Sequence, residues 1–396
     1  MAALMPSAMA DPLRVGFVGA GAISSRLMPH FQLPDTAARA VITAVVDPVL
    51  ERAQAAVGRF GVKGARAFTS LSDMIDADAA DAVSIGTPIG LHHGQVLEAI
   101  TANKHVHVNK TMTVTTSEAD QVIAAAREHD VKLVASPGEM LRPHNQETKR
   151  LIKSGAIGQL SWAACGAAFG NYHETEPERH GEAPGGRVDP SWYFRSPGGG
   201  PLYDVTVYSL HGLTGVLGPV KRVTALSGTL LPIREVNGKQ VRTEAHDNTL
   251  MLLDFGDSSF AMAFGTAAGS LSPGVQFDFS ARYYGTEGEI WGLTLNGQPY
   301  DYPGRVVAAT APDGGVNSNF GGNEWILPHI TEPHRALQEL HVYEDIMQMV
   351  DWAVDGIPSP ATPEHARHVI EIIEAAYEAA STGHTQTLRT TFGPPE

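Results

Sequence analysis

Leu13-Arg14-Val15-Gly16-Phe17-Val18-Gly19-Ala20-Gly21-Ala22-Ile23-Ser24 is the stretch on which the fold turns. A short strand-forming run meets two glycines one residue apart, and a helical stretch follows to about Phe31. Gly19 permits the tight turn that ends the strand. Gly21 lets the backbone approach a pyrophosphate, and Ser24 stands in the place of a third glycine. With Ala22 and Ile23 these residues form the expected cofactor turn of a dinucleotide-binding unit. The next apolar run, Val41 to Val46, ends at Asp47-Pro48. A carboxylate there can accept hydrogen bonds from the adenosine ribose hydroxyls. A 2′-phosphate would meet a like charge, and Pro48 supplies no cation, so NAD is favoured over NADP. The plainer reading of Asp47 is a helix N-cap before Val49-Leu50-Glu51.

Working outward, strand and helix continue to alternate. Leu50–Arg59 reads as a helix, Ala82–Ile85 as a buried strand, Gly94–Asn103 as a helix and His105–Val108 as a strand. Ser117–His129 is a helix and Lys132–Ala135 a strand. The strands are apolar throughout instead of alternating, which indicates a parallel sheet covered on both faces. Thr87-Pro88 and Asn109-Lys110 follow the ends of such strands, where cofactors bind in this architecture. His92-His93 starts a helix. Adjacent histidines point in different directions and make no metal pair, so His92 is either helix-start packing or a cofactor contact.

Composition sets the outer bounds. A chain of 396 residues, with 43% hydrophobic and 18% charged residues, is ordinary globular protein, and its length suggests two domains or more. The net charge of −15 argues against a nucleic-acid or anionic-membrane binder. One cysteine, Cys165, excludes an intrachain disulfide framework and a thiolate zinc site. No metal is expected. No run of 18 apolar residues is present, Met1 to Asp11 lacks the features of a signal peptide, and a cytoplasmic location is the default expectation.

His107-Val108-Asn109-Lys110-Thr111-Met112, Arg142-Pro143 and the Ser154-Gly155-Ala156-Ile157-Gly158 end of a following helix bring a resemblance into view. With Gly198-Gly199-Gly200-Pro201-Leu202-Tyr203-Asp204 they resemble the glucose–fructose oxidoreductase/inositol dehydrogenase (Gfo/Idh/MocA) family. The resemblance runs from about residue 13 to 220 and returns in the C-terminal helix, Pro363 to Ala380. It implies that Lys110 corresponds to the catalytic lysine of a Glu-Lys-Pro triplet, here Asn109-Lys110-Thr111, with both flanking residues replaced. Loss of the proline, which usually makes a cis-type turn, would change how Lys110 is presented. It also implies a fold: an α/β Rossmann domain (12–137) and an α+β domain with an open, mainly antiparallel sheet (138–362). A C-terminal helix and tail (363–396) would pack back on the first.

Independently of the resemblance, residues 159–171 and 219–300 are rich in strands that alternate in polarity. They suit an open sheet with one face on helices and the other free to bury itself in a homo-oligomer, a dimer or tetramer. On the helix after Gly200, Asp204, Tyr208 and His211 stand at i, i+4 and i+7 and share a face. Tyr208 or His211 could relay a proton with Lys110, Asp204 orienting them. Arg142, Tyr172, His173, Arg179, His180, Trp192 and Tyr193 form the expected substrate set. The long segment that carries most of them lacks periodicity, and its aromatics and Arg forks suit a hydroxylated, even anionic, sugar.

Three functions fit. The first is an NAD-dependent oxidoreductase moving hydride between a sugar or cyclitol hydroxyl and the nicotinamide. The second is an NAD-dependent glycoside hydrolase working by transient oxidation, elimination, water addition and re-reduction. The third is a non-catalytic sugar/NAD sensor on the same fold.

Overall fold

The structure, a computed structural model, describes residues 11–168, 189–236, 238–268, 281–292, 294–302 and 327–393. The first sheet has six parallel strands: β1 (Leu13–Val18), β2 (Ala40–Val46), β3 (Arg66–Phe68), β4 (Ala82–Ile85), β5 (His105–Val108) and β6 (Leu133–Ala135). Their order is β3-β2-β1-β4-β5-β6, the doubly wound arrangement with its switch point between β1 and β4. All four residues of β4 are buried, as expected of a strand covered on both faces. The edge strand β3 was not legible, being three residues long and partly exposed.

Helices α1 (Ala22–Leu27), α2 (Leu50–Phe60), α3 (His92–Thr101) and α4 (Thr116–Glu128) connect these strands. The start of α4 is fixed by a capping box: Thr115 Oγ1 accepts from Glu118 N, and Glu118 Oε2 accepts from Thr115 N. Helix α5 (Pro143–Lys153) leads away from the first sheet. Gly155 and Gly158, at φ +78° and +70°, turn the chain after it into the second.

The second sheet is built from β7 (Leu160–Ala168), β8 (Arg222–Gly228), β11 (Asn248–Gly256), β12 (Ser259–Thr266), β13 (Arg282–Gly285), β14 (Glu289–Trp291), β15 (Thr294–Leu295), β16 (Gln298–Pro299) and β17 (Gln386–Thr387). A separate hairpin, β9 (Ile233–Val236) with β10 (Lys239–Arg242), stands apart. The order is β16-β15-β14-β13-β7-β12-β11-β8-β17. Pairing is antiparallel except between β7 and β12, which run parallel. Strand β11 alternates exposed and buried residues, so one face is covered and the other is open.

Helices α6 (Val207–Leu217) and α8 (Pro363–Thr382) cover that face, sharing a core with Val223, Met251, Leu253, Ala261 and Tyr283. On its other side α8 meets α4. Glu374 Oε2 accepts from Thr116 N at 2.7 Å, and Arg367 pairs with Asp120 at 3.0 Å. The C-terminal helix therefore bridges both sheets. Helix α7 (Leu340–Asp355) lies within the stretch 138–362 expected to form the second domain. It packs instead on the first sheet, where Val342, Tyr343, Ile346 and Val350 join Val15, Phe17, Ile42 and Val134. Among the described residues no helix is long and apolar enough to cross a membrane. Residues 1–10 lie outside them.

Candidate active site

Strand β5 runs into Asn109, Lys110 and Thr111. Asn109 Oδ1 accepts from Lys110 N at 2.8 Å, and the Lys110–Thr111 peptide is cis. Thr111 Oγ1 donates to Tyr203 O at 2.5 Å, which ties this loop to the turn that opens α6. Lys110 Nζ donates to both the carboxylate and the main-chain carbonyl of Asp204. The two side chains are 14% and 5% exposed, so the pair is largely shielded from water. Lys110 Nζ also sits 5.4 Å from the centre of the Tyr208 ring, within cation–π range. The structure brings Lys110, Asp204 and Tyr208 together.

His211 goes elsewhere. The backbone from Leu202 to Thr206 takes an i→i+5 turn before α6 begins. Such a turn is underwound. It brings Tyr208 back into line with Asp204 and rotates later residues off that face. His211 packs instead against His365 of α8, with ring centres 4.6 Å apart. Burial pushes its imidazole down to about 3, the neutral state of a core histidine. The histidine that does reach Tyr208 is His341 on α7, its Nε2 3.2 Å from the phenol oxygen. Burial, reinforced by the carboxylates of Glu339, Asp204, Glu139 and Asp345, raises the Tyr208 phenol well above its ordinary value. Tyr208 therefore keeps its proton, and its hydroxyl shares a hydrogen bond with His341.

Four further expectations shift. His92 is wholly buried, its two ring nitrogens facing Thr111 O (2.8 Å) and Thr87 O (2.9 Å). It ties the end of β4 to the Lys110 loop and does not line the cofactor cleft. Trp192 and Tyr193 lie in a tight turn, Pro190–Phe194, with ring centres 3.7 Å apart. Tyr193 packs with Phe194, Val205 and Val236 and so is core rather than an open stacking platform. Arg142 is 4% exposed and bonded to Glu139 at 3.1 Å; it borders a small cavity with His341, Glu344 and Asp345. Tyr172, His173, Arg179 and His180 lie outside the described residues.

The glycine turn keeps its expected shape. Gly19 has φ +95°, and a Cβ there would stand 3.1 Å from Gly86 O, so only glycine suits this approach of β1 to β4. A Cβ on Gly21 would meet nothing within 4 Å, so the turn is open. Ala22 and Ile23 open α1. Asp47 Oδ2 accepts from Ala20 N at 3.0 Å and Oδ1 from Val49 N at 2.9 Å. The carboxylate thus serves the turn and the start of α2 together. Pro48 is exposed and uncharged, but Arg52 one turn on reaches Asp47 at 3.6 Å. Thr87 Oγ1 donates to Gln95, and Pro88 leads into α3.

Family models match this chain in two places. The oxidoreductase family, NAD-binding Rossmann fold, covers residues 13–136. The GFO/IDH/MocA C-terminal domain covers residues 145–291. The chain belongs to the Gfo/Idh/MocA family.

Relatives bear on its chemistry. The dTDP-3,4-didehydro-2,6-dideoxy-alpha-D-glucose 3-reductase of Streptomyces violaceoruber is 30% identical over 312 residues, 76% of this chain and 78% of that one. The scyllo-inositol 2-dehydrogenase (NADP(+)) of Bacillus subtilis is 24% identical over 80% of this chain and 82% of its own. Further relatives of both kinds match over roughly half of their own length. The solved WlbA dehydrogenase of Bordetella pertussis, in complex with NADH and UDP-GlcNAcA, shares the fold. Its TM-score is 0.72 at 19% identity, covering 97% of this chain and 99% of that one.

The family model over residues 13–136 is an NAD-binding Rossmann fold, and the residues present fit NAD. Ser24 Oγ is buried without a hydrogen-bond partner beside Gly86, an orphaned group at the rim of the open turn. Gly19 and Gly21 would pass the pyrophosphate. Asp47 would receive the ribose hydroxyls, because each of its oxygens has a second lone pair. Lys110 has a carboxylate partner in Asp204, with Asn109 and Thr111 standing where the resemblance expects Glu and Pro. What sequence reasoning missed was His341. The helix that carries it was not read, and the only available signal was the His341–Asp345 spacing of one helical turn.

Proposed function

We propose that this protein oxidises a secondary alcohol of a sugar or cyclitol, or reduces the matching ketone, with NAD. The observation that carries the reading is the Lys110–Asp204 pair seated over Tyr208 at the ends of the parallel strands. Bound NAD supplies the hydride acceptor. Lys110 hydrogen-bonds the reacting oxygen and favours its deprotonated form, while Asp204 holds the ammonium in position. Tyr208 takes the hydroxyl proton as its own passes to His341. The shielding of all three side chains keeps bulk water from competing for these bonds.

The sugar and inositol enzymes among its relatives support that substrate class. Purified protein incubated with NAD and a panel of cyclitols, aldoses and nucleotide sugars should form NADH in step with ketone. Aglycone release from aryl glycosides without accumulating NADH would replace this reading with the hydrolase. Ligand-induced stabilisation with no turnover would replace it with the sensor.

We also propose a homo-oligomer assembled through the second sheet. Leu226, Leu250, Leu252, Phe260, Met262 and Trp162 are all exposed on its open face. Register places Leu226 against Leu250, Leu252 against Met262 and Phe260 against Trp162, so they form one continuous apolar patch. Patches of this kind mark association surfaces.

A further inference from the structure

Behind His341 lies a buried chain of polar groups that the reaction outlined above does not use. Asp345 is one helical turn beyond His341 on α7, and both border the same cavity. Asp345 is 1% exposed. Ser136 Oγ donates to Asp345 Oδ2 at 2.6 Å, and Gly138 N donates to the carboxylate at 3.2 Å. Ser136 Oγ also lies 3.0 Å from His107 Nε2, and His107 Nδ1 lies 3.0 Å from Ser84 Oγ. Because Ser136 spends its proton on Asp345, it accepts from His107 Nε2–H. His107 must then accept at Nδ1, and Ser84 donates to it. Burial holds His107 neutral, down at about 3, as this order requires. The chain runs from β4 through β5 and the end of β6 to α7, and every hydrogen bond in it points at Asp345.

We propose that Asp345 is a positioning residue for proton transfer, its carboxylate setting the proton affinity of His341 and so the readiness of Tyr208 to accept the substrate proton. The inference rests on the alcohol-oxidising reading given above. In the step, the substrate C–H leaves as hydride to NAD, and the hydroxyl proton moves to the Tyr208 oxygen. The Tyr208 proton moves to His341 Nε2. The products are ketone, NADH and an imidazolium beside an ionised Asp345, and charge balances. With Asp345 protonated, that imidazolium loses the compensation of its carboxylate. The ionisable groups facing Asp345 are His341 and Glu344 on its own helix, Glu139 and Arg142 from the turn after β6, and Tyr208 from α6. Burial raises the carboxyl to about 7, against the Ser136 and Gly138 donors and His341, which lower it. Asp345 thus changes charge in the range where such enzymes work.

The test is Asp345→Asn, which keeps the shape and the acceptor for Ser136 but removes the charge. The kcat for alcohol oxidation should fall about a hundredfold, the low end of what one acid–base group contributes. The limb of the wild-type pH profile near neutrality should vanish, with KM and NAD affinity unchanged. Ser136→Ala, which removes only a donor, should move that limb to higher pH. Independently of any substrate, the His341 ring signal, identified by its absence in His341→Gln, should titrate at lower pH in Asp345→Asn than in wild type. An unaltered His341 titration or an unmoved pH limb overturns the proposal. If wild-type protein reduces no NAD with any alcohol, the functional reading fails, while the NMR titration still decides the coupling. Should Asp345→Asn not fold, Ser136→Ala and the wild-type titration carry the decision.

Discussion

At the scale of single residues, the proposed reaction makes turnover depend on the ammonium of Lys110. Lys110→Ala should abolish NADH formation, a loss on the order of 10² to 10⁴ in kcat, while calorimetry finds NAD binding little changed. Full activity in that variant would remove Lys110 from the mechanism. Tyr208→Phe separates two roles of one ring. It retains the aromatic face 5.4 Å from Lys110 and loses the hydroxyl that reaches His341. Stopped-flow measurement should then show slower hydride transfer with little change in KM.

Asp345 gives a stability prediction with a definite sign. Its pKa is raised on folding, from 3.8 to about 7, so the folded chain binds that proton more tightly than the unfolded one. The contribution is full at low pH and is lost as pH rises from about 4 to about 7. Urea denaturation should show Asp345→Asn gaining on wild type across that window, by up to about 4 kcal/mol. A flat difference would show that the carboxyl is not strained by burial.

Lys110, Asp204 and Tyr208 were legible because each follows a local motif or spacing. His341 was not, because it arrives from a helix more than a hundred residues later and no pattern links it to Tyr208.

At the scale of elements, the strands of the first sheet other than β3 were readable to within a residue or so. Buried parallel strands announce themselves as short apolar runs bounded by Gly, Asp or Asn. Helix α8 was also readable, with Thr362 as its cap and Gly383 past its end. His211 failed at this scale. The i→i+5 turn over Leu202–Thr206 changes the angular period in mid-helix, and composition carries no mark of it.

That turn depends on the glycines before it. A Cβ on Gly199 would come within 2.2 Å of Arg195 O and 2.7 Å of Tyr193 O. No backbone oxygen can retreat from such contacts cheaply. Gly199→Ala should lower the melting temperature clearly and reduce kcat together with it, because the displaced turn carries Asp204. An unchanged melting curve would show that the loop has room this structure does not give it.

At the scale of the whole molecule, the proposed association through the open sheet face can be tested directly. Leu252→Lys together with Phe260→Lys should shift sedimentation to a smaller species, with the fold retained by circular dichroism. An unchanged species would place the contact elsewhere. The overall layout was legible from the order of strands and helices. The return of α7 to the first sheet was not, since an amphipathic helix does not say which apolar surface it will cover.

The bonds at the β5 loop carry one more consequence. Lys110 to Asp204, Thr111 Oγ1 to Tyr203 O, and Tyr203 OH to Val114 O at 2.8 Å all join one sheet's loop to the helix of the other. Lys110 is therefore also a fastening between the two halves of the molecule. A shift of one sheet against the other by an ångström would unseat the ammonium from its carboxylate before disturbing either core. Substitutions along α8, far from the chemistry, should consequently register as changes in rate rather than in affinity.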